Sequence, residues 1–198
     1  MIASLEVCPH QTFARGSGEN PPAGSAAYNR HLQPMIGTPE LSSQLPPMLV
    51  VEDSDEDFEA FLRYLKRSPH SIPVYRCVNG DQALAFLFQT GDNKPPQNAR
   101  RPGLIVLDLN LPGTDGREVL HQIKRDRDLN RIPVIVFTTS NNPKDLEDCH
   151  RLGVNGYIVK PINIERLKRD IQAIVNYWLE VTASSESYST SWPESWKE

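Results

Sequence analysis

Between residues 47 and 180, five short apolar runs alternate with five stretches of helical period, and this alternation constrains the fold more than any other feature. The runs are Met48–Val51, 72–78, Leu104–Leu107, 133–137 and Gly156–Val159. Short apolar runs bounded by turn residues read as strands buried on both faces. In the first intervening segment Phe58, Phe61, Leu62 and Leu65 fall at the i, i+3, i+4, i+7 spacing of one helix face. Ser54 or Asp55 can cap that helix and Pro69 stops it. Asn79-Gly80 turns into a second helix that carries Ala83, Leu84, Leu87 and Phe88 inward. A third, 117–126, puts Val119, Leu120 and Ile123 on one side. Pro143 suits the first turn of a fourth, with Leu146, Cys149 and Leu152 inward and Gly153 as its stop. The fifth has the longest seam: Ile164, Leu167, Ile171, Ile174, Val175 and Trp178.

Strands and helices in strict alternation predict an α/β fold, a doubly wound parallel sheet with helices on both faces. At this size the natural solution is the flavodoxin-like (βα)5 arrangement, strand order 2-1-3-4-5. Residues 47–180 form this domain, and no length remains for a second. Residues 1–46 lack periodicity and hold Pro21, Pro22, Pro34, Pro39 and Pro46, so they read as a disordered N-terminal tail. Met35 and Met48 are internal alternatives for the start, and the sequence leaves that choice open. Residues 181–198 are Ser-rich and read as a flexible C-terminal tail. The apolar fraction of 38% agrees with unpacked ends.

A formal charge of -4 speaks against a direct nucleic-acid partner. No apolar run reaches the length of a membrane span, and no signal pattern opens the chain, so the expected location is cytoplasmic. Cys8, Cys77 and Cys149 are odd in number and far apart, which suits neither a disulfide framework nor a zinc site. They read as ordinary thiols, Cys77 and Cys149 semi-buried. The five histidines, His121 and His150 among them, have no carboxylate or Cys at ligand spacing and read as surface residues.

In the predicted sheet, Glu52, Asp53, Asp108, Thr138 and Lys160 all follow the carboxyl ends of strands, where ligands of open α/β folds bind. The order 2-1-3-4-5 has its switch point between the first and third strands, so Glu52, Asp53 and Asp108 converge there. Three carboxylates at one mouth repel each other. A hard divalent cation resolves that repulsion, and oxygen ligands without His or Cys suit Mg²⁺. The competing reading is that each acid is a solvated loop residue or a helix cap. Mg²⁺ and a lysine at one carboxylate point to phosphoryl transfer, with Asp108 as nucleophile. Lys160 would pair with a phosphoryl oxygen, Thr138 would donate its hydroxyl to another, and the Asn110 backbone carbonyl would complete the metal shell.

Taken together, Leu-Val-Val-Glu52-Asp53, Leu-Asp108-Leu-Asn-Leu-Pro112, Gly116, Phe-Thr138-Thr-Ser140 and Gly-Tyr157-Ile-Val-Lys160-Pro161 resemble the receiver domain of two-component response regulators. The resemblance spans residues 47–180. It implies phosphorylation of Asp108 by a histidine kinase or phosphotransfer protein. It implies Mg²⁺ at Glu52, Asp53, Asp108 and the Asn110 carbonyl, and a cis bond before Pro161. The family often has Asp at the position of Glu52; the added methylene favours metal contact through water there. The resemblance also implies that Thr138 and Tyr157 move together on phosphorylation. The residue alone gives a plainer reading of Tyr157: a half-buried strand residue with its hydroxyl in water.

Asp115-Gly-Arg-Glu-Val-Leu120, Arg-Ile-Pro-Val, Thr-Thr-Ser and Tyr177-Trp-Leu-Glu180 further resemble single-domain regulators paired with bacterial and cyanobacterial phytochrome-type kinases. A histidine kinase of that type is therefore the expected partner. Trp178 is either a cap on the core or a contact residue. In the contact reading, two copies pair through the face made by the fourth helix, fifth strand and fifth helix. That same face would carry the phosphorylation signal.

The chain is expected to be a phosphoacceptor that promotes its own phosphorylation and dephosphorylation, not an enzyme with a separate substrate. Asn110 and Ser140 border the path of the hydrolytic water. A haloacid-dehalogenase-type phosphatase would need a second Asp at the position of Asn110. A flavin module would need a hydroxyl- and Gly-rich loop where Glu52-Asp53 stands. A scaffold that no longer takes phosphate would not need all five site residues.

Overall fold

The computed structural model describes residues 5–7, 45–67, 71–91, 94–95 and 99–184. Five parallel strands carry the domain: β1 (Met48–Val51), β2 (Val74–Cys77), β3 (Leu104–Leu107), β4 (Val134–Thr138) and β5 (Gly156–Val159). Their order in the sheet is 2-1-3-4-5, as the alternation predicts. The helices are α1 (Asp55–Leu65), α2 (Gly80–Leu87), α3 (Gly116–Arg125), α4 (Pro143–Arg151) and α5 (Ile164–Ser184), with a 3₁₀ turn at Leu129–Arg131.

Each strand sends alternate side chains to opposite faces, and two apolar layers result. Leu49, Val51, Ile105, Leu107, Val134 and Val136 pack against α2, α3 and α4. Met48, Val50, Leu104, Val106, Ile135 and Phe137 pack against α1 and α5. Ser54 caps α1, its Oγ accepting from the Asp57 N–H at 3.2 Å, and Asn79 caps α2 in the same way. Val51 pairs with Cys77 on one side and Leu107 on the other. That register brings Glu52, Asp53 and Asp108 out at one level.

Several expectations are corrected. Leu5–Val7, inside the segment read as a disordered tail, pairs in parallel with β2 and adds a sixth strand at the sheet edge. An edge strand offers a row of backbone donors and acceptors, and a short extended segment can pair with them. The rest of 1–44, with Cys8, lies outside the described residues, as do Pro69 and 185–198. At the other end α5 continues to Ser184, past the predicted boundary at 180. Helix α2 is rotated slightly from the predicted face: Ala83, Phe86 and Leu87 are buried, whereas Leu84 and Phe88 are half-buried. Cys77 and Cys149 are fully buried, and burial pushes the Cys149 thiol up to about 11.

Leu146 is 41% exposed, and its neighbour Asp145 turns inward in its place. Two hydrogen bonds from Arg117 and one from the Ser140 hydroxyl offset the burial of that carboxylate. Ile164 opens α5 largely exposed, as are all of residues 162–166. Trp178 is fully buried in the α1–α5 layer, which selects the core-cap reading and removes it as a contact residue. Among the described residues no peptide bond is cis, so the cis bond implied before Pro161 is absent. Trans is the intrinsically favoured form of such a bond, by about 0.5–1 kcal/mol.

Gly116 lies against the backbone that carries Asp108. A Cβ there would overlap the Asp108 carbonyl oxygen and reach within 2.7 Å of the Leu109 Cα. Backbone cannot yield as a flexible side chain does. Gly116→Ala is therefore expected to destabilise the domain by about 1–3 kcal/mol, read from urea unfolding. An unchanged midpoint would show that the loop shifts freely.

Candidate functional site

Strand β1 delivers Glu52 and Asp53, and β3 delivers Asp108, to one end of the sheet. One carboxylate oxygen from each lies within 4.8 Å of the others. Glu52 and Asp108 are buried, while Asp53 faces solvent. Lys160, just beyond β5, reaches across the mouth. Its Nζ donates to Glu52 Oε2 at 2.6 Å, Asp108 Oδ2 at 2.7 Å and Asp57 Oδ2 at 2.9 Å. An ammonium has three protons, and all three are engaged here. The Asn110 N–H donates to Asp108 Oδ1 at 3.0 Å, which fixes the carboxylate plane. The Asn110 side chain donates to Thr139 Oγ1 at 2.9 Å and joins the loops after β3 and β4.

Burial dominates the titration of Glu52. It raises the carboxyl from the usual 4.5 to about 7, against the lowering pull of Lys160. Burial alone would lower Lys160, but Glu52 and Asp108 overrule it, and the ammonium is held above its usual range. The donor set is all oxygen and carries more negative charge than one lysine neutralises. Such a set fits a hard divalent cation.

Thr138 is fully buried at the end of β4. Its Oγ1 accepts from the Ser140 N–H at 3.2 Å, so its own proton is not used in that bond. Tyr157 is half-buried on β5, and its hydroxyl donates to the Ser140 carbonyl at 3.0 Å. The half-burial agrees with the plainer reading of this residue, and the hydroxyl has a protein acceptor where that reading left it to water. Ser140 links the two positions: its N–H meets Thr138, its carbonyl meets Tyr157, and its hydroxyl donates to Asp145 Oδ2 at 2.6 Å. The Arg117 hydrogen bonds hold the Asp145 carboxyl down at about 2.

The structure thus brings together Glu52, Asp53, Asp108 and Lys160, and sets Thr138 and Tyr157 around the loop after β4. Sequence reasoning missed Asp57, Asp145 and Arg76. Asp57 is hidden in an acidic first turn, where any acid is favourable for the helix. Arg76 carried a legible signal, a charge inside an apolar strand, because a buried arginine requires partners.

The raised Glu52 carboxyl has a consequence for stability. A folded-state pKa above the unfolded one favours the neutral form on folding. Metal-free protein therefore loses stability as pH rises from about 4.5 through about 7. At roughly 1.4 kcal/mol per unit, the loss is on the order of 3 kcal/mol. Glu52→Gln is expected to raise the urea midpoint of metal-free protein at pH 8 and to change it little at pH 4. Equal effects at both pH values would contradict the burial argument.

The parallel sheet, the acidic pocket at its carboxyl end and the hydroxyl and lysine beside it define a receiver domain of two-component signalling. The response regulator receiver domain model matches residues 48–172, and the chain belongs to that family. Response regulator Rcp1 of Synechocystis sp. is 45% identical over 139 residues, 68% of this chain and 91% of the relative. The phosphorylated cyanobacterial phytochrome response regulator RcpA superposes with a TM-score of 0.64 at 40% identity, over 69% of this chain and 95% of its own. The Mn²⁺-bound form of Rcp1 gives the same TM-score and identity over 75% of this chain and 100% of its own.

Proposed function

We propose that this chain is a single-domain response regulator that accepts a phosphoryl group on Asp108 from a phytochrome-type histidine kinase. One observation carries the proposal: Lys160 Nζ lies 2.7 Å from Asp108 Oδ2 in a pocket where Glu52 and Asp53 bring two further carboxylates. The Mn²⁺ in Rcp1 and the phosphorylation of RcpA support carrying the family chemistry over.

Glu52, Asp53, Asp108 and the Asn110 carbonyl would hold Mg²⁺. When bound, the ion would offset charge on the phosphoryl oxygens and the attacking carboxylate. The chain's own residues do the rest. A carboxylate oxygen of Asp108 forms a bond to phosphorus as the bond from phosphorus to the kinase imidazole nitrogen breaks. The imidazole keeps that electron pair. The Asn110 N–H and Lys160 hold Asp108 for in-line attack. Lys160 exchanges one of its carboxylate bonds for a phosphoryl oxygen. Thr138 turns its unused hydroxyl proton to another, and this loosens its bond with Ser140. The Ser140 carbonyl accepts from Tyr157, so the shift reaches β5 through one residue. The signal leaves on the α4–β5–α5 face, where Leu146 and Val159 are exposed. A homodimer would use this same face. The chain is the phosphoacceptor and not an enzyme with a separate substrate. No helix among the described residues is long and apolar enough to cross a membrane, and the proposed setting is the cytoplasm with a kinase as partner.

The test is phosphotransfer. A phytochrome-type kinase labelled with phosphate is expected to pass its label to this chain in the presence of Mg²⁺ faster than an unrelated kinase does. Equal rates from both would remove the partner assignment, and no transfer from any donor would remove the phosphoacceptor reading.

A further inference from the structure

We propose that Arg76, on the second strand and outside the set that touches metal or phosphate, is the positioning residue of the metal site. The inference rests on the metal reading above.

Arg76 is 5% exposed, and a buried guanidinium must be fully partnered. Its partners are specific. Nε donates to the Glu52 carbonyl at 3.1 Å, and Nη2 donates to the Asp53 carbonyl at 3.1 Å. Nη1 meets Asp55 Oδ1 at 2.6 Å, and the guanidinium carbon lies 4.4 Å from the centroid of Phe58. One planar fork therefore holds the main chain of both acidic residues that follow β1. The Glu52 N–H donates to the Cys77 carbonyl at 2.9 Å, so the Glu52 peptide groups are held by two neighbouring residues of one strand.

Two consecutive carboxylates on an untethered loop would have to be ordered when a cation binds, at an entropic cost. The fork has ordered them already. It also holds a permanent positive charge against the main chain of both acids. Lysine can supply that charge but not the planar pair of donors that reaches two adjacent carbonyls. The ion pair with Asp55 is the less important contact, because the Asp55 side chain is 72% exposed.

The experiment is Mn²⁺ binding to the otherwise unmodified full chain, followed through the electron paramagnetic resonance of free Mn²⁺ with no phosphodonor present. Loss of groups that orient metal ligands typically weakens affinity by about 10–100-fold. Arg76→Lys and Arg76→Gln are both expected to weaken Mn²⁺ about tenfold or more. Asp55→Asn, which removes the ion pair and leaves both carbonyl bonds, is expected to stay within about threefold of the wild type. Should Arg76→Gln fail to fold, Arg76→Lys keeps the charge and carries the test. Arg76→Lys binding like the wild type would overturn the proposal, leaving at most an effect of charge. A wild type that does not bind Mn²⁺ would instead overturn the metal reading, and this inference with it.

Discussion

Asp108→Asn is expected to abolish labelling by a small-molecule phosphodonor and Mg²⁺, with a rate loss of at least about 100-fold, near 3 kcal/mol in barrier. The reason is chemical and not structural. Asparagine keeps the shape of aspartate. Its carbonyl oxygen can still accept from the Asn110 N–H or from Lys160, so the loop after β3 keeps its course. It lacks the anionic oxygen that would attack phosphorus in the proposed transfer. It also removes one carboxylate from a cluster that lacks a full complement of cations, so the metal-free variant should unfold at higher urea than the wild type at pH 8. Mass spectrometry of the intact chain reads the labelling, and a urea titration reads the folding. Labelling of the variant at a rate within a few-fold of the wild type would place the acceptor elsewhere.

Lys160→Met should have the largest effect on stability. Removing the ammonium leaves the Glu52 and Asp108 side chains, each 5% exposed, without the cation that bridges them. Breaking a buried ion pair from one side costs about 3–5 kcal/mol, because the remaining charge is desolvated and unpaired. The methionine stem fills the space of the lysine stem, so loss of packing adds little. The deficit should shrink as pH falls, because without the lowering pull of the ammonium Glu52 takes up a proton more readily than in the wild type. Saturating Mg²⁺ should narrow the deficit at pH 8, since a ligand that binds only the folded state stabilises it. An unchanged urea midpoint at pH 8 would mean that another group neutralises the pocket. The same variant tests the bond exchange proposed for phosphoryl transfer, since it lacks the proton donor that moves from carboxylate to phosphoryl oxygen.

The chain itself determined the architecture and the meeting of the three acids. Apolar runs, helix caps and breakers are local signals, and their alternation admits few topologies, so the order 2-1-3-4-5 and the convergence of Glu52, Asp53 and Asp108 followed from pattern alone. Lys160 was legible for the same reason, because a charge immediately after a strand can only emerge at the sheet's carboxyl end. Orientation and long-range pairing were not legible. The face of α4 is set by a carboxylate that pairs with Arg117, 28 positions away, so Asp145 turns in and Leu146 out against the polarity of the pattern. The third partner of Lys160, the fork of Arg76 and the role of Ser140 between Thr138 and Tyr157 likewise join distant parts of the chain. Periodicity states which side chains prefer the interior. Only the folded register states which donor meets which acceptor, because a hydrogen bond depends on separations of a few tenths of an ångström that no one-dimensional pattern encodes.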